Sequence, residues 1–361
     1  MSLSNDSKVK ELYTQGTKRK VFFLILLCLF LVAVTLVATS NGAAGISVSD
    51  VCRVLIKKIY PASQLMPKSD VAETIVMDIR LPRILLAVLS GIALGGSGVV
   101  MQGVLRNPLV SPMTLGVSSG AAFGAAMAIV LGAGVAGGSF SGRYLIVISA
   151  FSFGSLTMVL VYLIAKMKGT APETLLLAGV AFGYLFSAGV SILKYISSNE
   201  ALKEIVVWLM GGLWGASWET DMILFPVVLI GIGLLFRYAW DLNIFSAGED
   251  VAISLGINVS RLMLITLSLS TVITSSTIAF TGVVGFIGLI APHICRMLIG
   301  SDHRFLLPCS CLMGAVILLL SDTLARLVLA PVEIPVGIVT SLVGVPFFIY
   351  LLLKKKRGLW T

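Results

Sequence analysis

Runs of about twenty apolar residues recur along this chain, and that recurrence constrains its fold more than any single motif does. A helix needs about 20 such residues to cross about 30 Å of hydrocarbon at about 1.5 Å per residue. Val21 to Thr39, Leu81 to Gly103, Tyr144 to Ala165, Thr174 to Leu193, Met222 to Phe236, Leu262 to Phe280 and Leu306 to Val328 are clear candidates. Met113 to Val135, Val283 to Ile299 and Ile334 to Leu353 bring the expected total to ten. The fold class expected is therefore an all-α integral membrane protein. Composition agrees: 57% of the chain is hydrophobic and only 12% charged, against roughly 25% charged in a soluble domain. A soluble enzyme is excluded.

The formal charge of +9 would point to nucleic acid in a soluble protein, but here the placement of the charges matters more than their sum. Lys18, Arg19 and Lys20 precede the first run, and Lys354, Lys355, Lys356 and Arg357 follow the last. An even number of spans puts both termini on one side, and basic flanks put that side in the cytoplasm. The expected organisation is a cytoplasmic tail over 1–20, a ten-span body over 21–353 and a basic cytoplasmic tail over 354–361. The first run follows a polar segment and shows no small-x-small cleavage site, so it is read as a retained span.

Glycine occurs 36 times. Gly91 and Gly95, then Gly116, Gly120 and Gly124, recur at every fourth residue, on one helix face, where small residues let backbones approach closely in lipid. The fifth run carries a similar stripe at Gly179, Gly183 and Ser187. For that stripe the smooth wall of a translocation pathway competes with packing. The five cysteines have no zinc-like spacing, and small apolar packing residues are the expectation for them.

Ion-coupled carriers need ionisable groups at mid-membrane depth, and the runs hold few. Asp322 and Arg326 have the spacing of a helical ion pair; His293 and Arg296 lie in the eighth run. No nucleotide-binding Gly-x-x-x-x-Gly-Lys-Ser/Thr loop occurs. Energy for uphill transport would have to enter through another chain. The segment that could receive it is the loop at about 240–261. Ser246 and Glu249 have capping-box spacing, Asp250 adds charge favoured by the helix dipole, and Gly256 supplies a stop. A short helix from about Ala247 to Leu255 is expected, with Val251, Ala252 and Leu255 as a small apolar patch and Asn258 capping the next helix. A capped interfacial helix with no partner fits the same pattern.

Several segments carry a resemblance. Arg80-Leu-Pro-Arg83, Gly103-Val-Leu-Arg-Asn-Pro-Leu-Val-Ser-Pro112, Leu115-Gly-Val-Ser-Ser-Gly-Ala121, Trp208-Leu-Met-Gly211 and Gly248-Glu-Asp-Val-Ala-Ile-Ser-Leu-Gly256 come in that order. Gly288-Leu-Ile-Ala-Pro-His293, Asp302-His-Arg304, Asp322-Thr-Leu-Ala-Arg326 and Glu333-Ile-Pro-Val-Gly337 continue it. From about 75 to 353 the chain resembles the permease subunits of type II ABC importers for iron-siderophores, haem and cobalamin.

The resemblance implies ten spans with an inverted pseudo-repeat relating spans two to five and seven to ten. It implies a second permease copy or a sister permease, two cytoplasmic ABC ATPases that hold the ATP and magnesium, and an extracytoplasmic substrate-binding protein. Glu249, Asp250, Ser254, Leu255 and Gly256 would form the ATPase-coupling loop. Arg80, Arg83 and Arg326 would dock the binding protein, with head-group anchoring for the first two and the Asp322 pair for the third as competing explanations. Gly179, Gly183 and Ser187 would belong to the pathway. No catalytic residue, metal or cofactor is expected on this chain. An iron(III)-siderophore is the expected cargo, with haem or cobalamin as alternatives; an ion-coupled secondary transporter and a membrane-embedded enzyme are the rival classes.

Overall fold

The structure is a computed structural model that describes residues 2–42, 45–60, 70–132, 140–168 and 171–353. Among the described residues it consists of helices and their connections. The chain opens with α1 (Ser2–Ser40) and α2 (Val48–Ile59). Next, α3 (Asp70–Thr74) runs through a π-helical turn, Ile75–Arg80, into α4 (Leu81–Val104). Then come α5 (Val117–Gly132), α6 (Phe140–Met167), α7 (Pro172–Ile196), α8 (Asn199–Met210) and α9 (Trp218–Arg237). The short pair α10 (Ala239–Ser246) and α11 (Glu249–Ser254) leads to α12 (Val259–Thr281), α13 (Ile287–Ile299), α14 (His303–Leu327) and α15 (Val336–Leu353).

Each apolar run of the sequence holds one helix. Among the described residues seven helices are long and apolar enough to cross a membrane; α5, α13 and α15 are the shorter helices of the remaining three runs. One boundary differs from expectation. The polar segment before the first run is helical, since α1 begins at Ser2. The helix of the eighth run, α13, starts at Ile287 rather than Val283, because Gly282 and Phe286 both take positive φ, +66° and +67°, and break the backbone before it. The basic segment 354–361 lies outside the described residues.

Burial sorts the helices. The most apolar stretch of α4 is 83% buried, that of α12 72% and that of α14 67%, whereas α1, α6, α7 and α9 lie between 17% and 33%. Three helices thus form the centre, and four turn most of their surface outward. Lipid offers no hydrophobic gain for helix association, so close backbone contact must hold the centre together. The glycines supply it. A Cβ at Gly91 would stand 2.4 Å from the Cα of Ala315, one at Gly95 2.2 Å from the Ser310 carbonyl oxygen, and one at Gly98 2.0 Å from the Gly288 carbonyl oxygen. On α5, Gly120 and Gly124 face the Phe153 and Ser149 carbonyls of α6 in the same way. The fourfold glycine spacing is packing, as expected.

Helices α4 and α14 run antiparallel, with Arg83 beside Asp322 at one end and Gly103 against His303 at the other. α4 packs most heavily on α14, and α12 packs on α6; likewise α5 packs on α6 and α13 on α14. Matching α4–α7 with α12–α15 in order exchanges these pairs, as expected of an internal repeat. Helix α12 buries many hydroxyls, and Thr266, Thr277 and Thr281 satisfy theirs by donating to the carbonyl four residues earlier, at 2.6, 2.9 and 3.0 Å.

Candidate functional sites at the two ends of a central helix pair

At one end of the α4 and α14 pair three arginines gather, and two of them bind one buried carboxylate. Asp322, without exposure, accepts from the Arg83 Nε at 3.0 Å and from the Arg326 Nε at 3.0 Å. Arg83 also pairs with Glu333 at 2.8 Å. Arg326 reaches back to the Asn41 carbonyl at 3.1 Å, and Arg80 donates to the carbonyls of Thr39 and Ser40. The guanidiniums therefore tie α4 and α14 to the end of α1. The three arginines named from sequence do share one end of the bundle. Their side chains, however, are turned into this chain, with Arg80 5% and Arg326 8% exposed. Only the Arg83 and Glu333 pair reaches the surface, with side-chain exposures of 11% and 37%.

At the opposite end lies the 239–258 segment. Ser246 does not cap the helix that follows it. Its hydroxyl donates to the Leu242 carbonyl at 2.8 Å, because burial of Leu242 and Phe245 carries α10 through to Ser246. Helix α11 starts instead after Gly248, at φ +143°, with no side-chain cap. The expected stop holds: Gly256, at φ +82°, donates to Ile253, and Ile257 donates to Ala252 at 2.9 Å, the paired bonds of a glycine-terminated helix. Asn258 caps α12 by accepting from the Arg261 N–H at 2.9 Å.

The expected apolar patch splits in two. Ala252 is fully buried, while Val251, Ile253 and Leu255 are exposed at 44%, 58% and 63%. Glu249, Asp250, Ser254 and Gly256 are exposed beside them. Ser254 donates to the Asp250 carbonyl at 2.7 Å. A helix of six residues and its C-cap Leu255 thus display three aliphatic side chains and two carboxylates at the end of the molecule.

The stripe on α7 is also divided. Gly179 is buried against the backbone of Leu115, where a Cβ would approach to 2.8 Å, and Gly183 lies beside the Cα of Gly116. Ser187 alone of the three is exposed. Close packing calls for glycine at Gly179, whereas Gly183 is half-buried and an added Cβ there would make ordinary contact, 3.6 Å from the Gly116 Cα. The outward side of α7 is formed by Leu177, Tyr184, Leu185 and Tyr195. A groove of about 600 Å³ opens between α8, the connection from α12 to α13, and α15, lined by Met210, Phe286, Ile338, Leu342 and Val345 among others.

Sequence reasoning missed four groups. Glu333 joins Arg83 although 250 positions separate them. Arg296 donates to the Gln102 side chain at 3.0 Å. Asp221, 2% exposed, sits just before the expected start of the sixth run, and neither of its carboxylate oxygens is bonded among the described residues. Arg106 holds a positive φ of 45° at the end of α4. Only Asp221 had a legible signal, an acid beside an apolar run. Among the described residues, no group of three or more His, Cys, Asp and Glu side chains could hold a metal ion.

The FecCD transport family model matches residues 27–354, which includes both ends of the helix pair. The chain belongs to the FecCD family. An ABC transporter permease protein of Methanocaldococcus jannaschii is 41% identical over 96% of this chain and 98% of its own length. The Fe(3+)-citrate import system permease of Bacillus subtilis is 37% identical over 95% and 98%. The cobalamin import system permease of Halobacterium salinarum is 43% identical over 81% and 77%. Among solved structures, an inward-facing metal-chelate type ABC transporter superposes with a TM-score of 0.79 at 36% identity, covering 92% of this chain and 99% of that one. This FecCD chain is accordingly a multi-pass ABC importer permease, a transport subunit whose ATP is hydrolysed by a separate polypeptide.

Proposed function

We propose that this FecCD permease imports a metal chelate, an iron(III)-siderophore, across the cytoplasmic membrane as one of two permease subunits, with both termini in the cytoplasm. The observation that carries the reading is the solvent face of α11, where Val251, Ile253 and Leu255 stand exposed beside Glu249 and Asp250. Exposed aliphatic side chains at the end of a membrane bundle need a partner to cover them. A cytoplasmic ATPase fits that need, and Gly256 fixes the patch by ending α11 in a turn that strongly favours glycine. ATP-driven displacement of α11 would switch the interface between the two permeases from outward to inward openings.

The pathway in this reading runs along the surfaces that the single chain leaves uncovered: the outward side of α7 with Ser187, and the groove beside Leu342. The opposite end, around Arg83 and Glu333, would receive the binding protein, with Arg80 and Arg326 holding the rim in shape from beneath. Iron chelates are favoured as cargo because ferric citrate and ferric hydroxamate recur in the names of the relatives. Haem and cobalamin are the alternatives, named in two others.

The test is uptake in vesicles that contain the permease, its ATPase and its binding protein, offered ferric citrate, a ferric hydroxamate, haemin or cobalamin in turn. ATP-dependent uptake of one iron chelate supports the reading; uptake of haemin or cobalamin alone overturns the cargo. Uptake abolished by a protonophore but insensitive to ATP depletion overturns the importer mechanism. For docking, Arg83→Gln should weaken binding-protein affinity several-fold, and an unchanged affinity in a normally folded variant refutes that surface.

A further inference from the structure

Helix α11 touches little of the bundle directly. It packs on α10 and on the start of α12, itself one of the three central helices, and it is α10 that reaches the other two, α4 and α14. Two side chains make those connections. The first is Arg106, one residue beyond the C-cap of α4. Its Nη2 donates to the Phe245 carbonyl at 2.9 Å, and its guanidinium lies 3.9 Å from the centroid of the Phe245 ring. Phe245 is 1% exposed.

The second is Asn243 on α10. Its Nδ2 donates to Asp302 at 2.8 Å, and its Oδ1 accepts from the His303 backbone N–H at 2.8 Å. Asp302 is the N-cap of α14 and accepts from the Arg304 backbone and side chain. One amide on α10 therefore joins the cap of α14 by both of its polar atoms.

The backbone at Arg106 shows that this contact is not incidental. Arg106 occupies the position after the C-cap that glycine usually fills, since Arg106 donates to Gly103 and Asn107 donates to Gln102. At φ 45° a side chain strains the backbone. Gly256 ends α11 with the same pair of bonds and no such strain. A strained residue that persists where glycine would serve points to a use for the side chain. Here the side chain clamps α10.

We propose that Arg106 and Asn243 are the positioning residues that transmit movement of α11 to α4 and α14, with α10 as the strut. This rests on the assignment of α11 to the ATPase contact. The two central helices are joined again at their far end by the carboxylate of Asp322, so a push at α10 displaces them as a linked pair rather than bending one alone.

The experiment uses the permease assembled with its ATPase in vesicles. The five cysteines are replaced by alanine and Leu342→Cys reports the groove beside α15. Its labelling rate by a charged methanethiosulfonate is measured with and without ATP, magnesium and orthovanadate. The parent should change rate about tenfold on trapping, the size of an ordinary coupling between two sites. Arg106→Gly and Asn243→Ala should keep the ATPase attached and hydrolysing ATP, yet lose most of that rate change.

Arg106→Gly has a relaxed backbone, so its melting temperature should equal or exceed that of the parent. Retention of the full rate change in both variants overturns the proposal. So does loss of the ATPase, which would make these residues part of the docking surface, or a fall in the melting temperature of Arg106→Gly, which would make the clamp a brace of the fold. Leu255→Asp separates the two readings. If it leaves the ATPase bound, the assignment of α11 has failed; if it releases the ATPase while Arg106→Gly and Asn243→Ala respond normally, only the transmission has failed.

Discussion

Arg83 and Asp322 meet at 2.9 Å although 239 positions separate them in the chain, and the same carboxylate binds Arg326 at 3.0 Å. One fully buried anion thus pairs with two guanidiniums; Arg83 also holds Glu333, whereas Asp322 is the acid that Arg326 meets among the described residues. Removing one partner of a buried ion pair costs about 3–5 kcal/mol, because the remaining charge stays desolvated. We expect Asp322→Asn to lower the melting temperature in detergent steeply. Glu333→Gln, at the exposed side of the cluster, should cost at most about 1 kcal/mol. Equal melting temperatures for the two variants would contradict the central role of Asp322.

The close approach of α4 and α13 gives a second test. A methyl at Gly98 would stand 2.0 Å from the Gly288 carbonyl oxygen, and backbone cannot rotate away as a side chain does. Gly98→Ala should destabilise by about 1–3 kcal/mol, the usual cost of overpacking. Gly233 on α9 is exposed with nothing within 4 Å, so Gly233→Ala should stay within about 0.5 kcal/mol of the parent. Thermal unfolding of the two variants side by side decides the matter.

At α11, Glu249→Lys reverses an exposed charge and Gly256→Trp places a large side chain where nothing lies within 4 Å. Glu249→Lys leaves the buried Ala252 untouched, whereas Gly256→Trp also strains the φ +82° turn that ends α11. Both variants should insert normally, while ATP-driven uptake falls by at least about tenfold, a loss of about 1.4 kcal/mol at the contact. Normal uptake by both would remove α11 from the coupling route.

The cap of α14 sets a pH limit. Burial pushes the Asp302 carboxyl up, but hydrogen bonds from Arg304 and Asn243 outweigh it and hold the group at about 2. A depressed carboxylate stabilises the fold above its ordinary value of about 3.9, and that contribution is lost as pH falls toward the folded value. The melting-temperature difference between the parent and Asp302→Asn should therefore be constant from about pH 5 upward and shrink below about pH 4. A difference that grows on acidification would reverse the sign of this linkage.

Local signals carried through wherever the governing contact was local. The pair of Asp322 and Arg326 was legible because four residues on a helix bring two side chains to one face. The stop at Gly256 and the cap at Asn258 depend only on their own turns. Ser246 and Glu249 satisfied a local capping rule and still failed, because burial of Leu242 and Phe245 extended α10 over the cap position. The stripe of Gly179, Gly183 and Ser187 looked uniform in sequence; Leu115 and Gly116, a distant segment, cover two of its members. Glu333, Gln102 and Asn243 gave no sign of their roles, since each meets a partner 59 or more positions away.

The sequence alone determined the solvent of this protein, its helical spans and the glycine faces on which they pack. Those follow from the length of apolar runs and from backbone hydrogen bonding that closes within each helix. Which charges the fold consumes and which it leaves on the surface was decided only by the tertiary structure. In the sequence Arg80 and Arg83 read as rim charges or head-group anchors and Arg326 as a rim charge or the partner of Asp322, yet the meeting of α1, α4 and α14 turned all three inward onto Asp322 and backbone carbonyls. A buried guanidinium must find an acceptor wherever the fold brings one near, and nearness between distant segments is not written in either segment by itself.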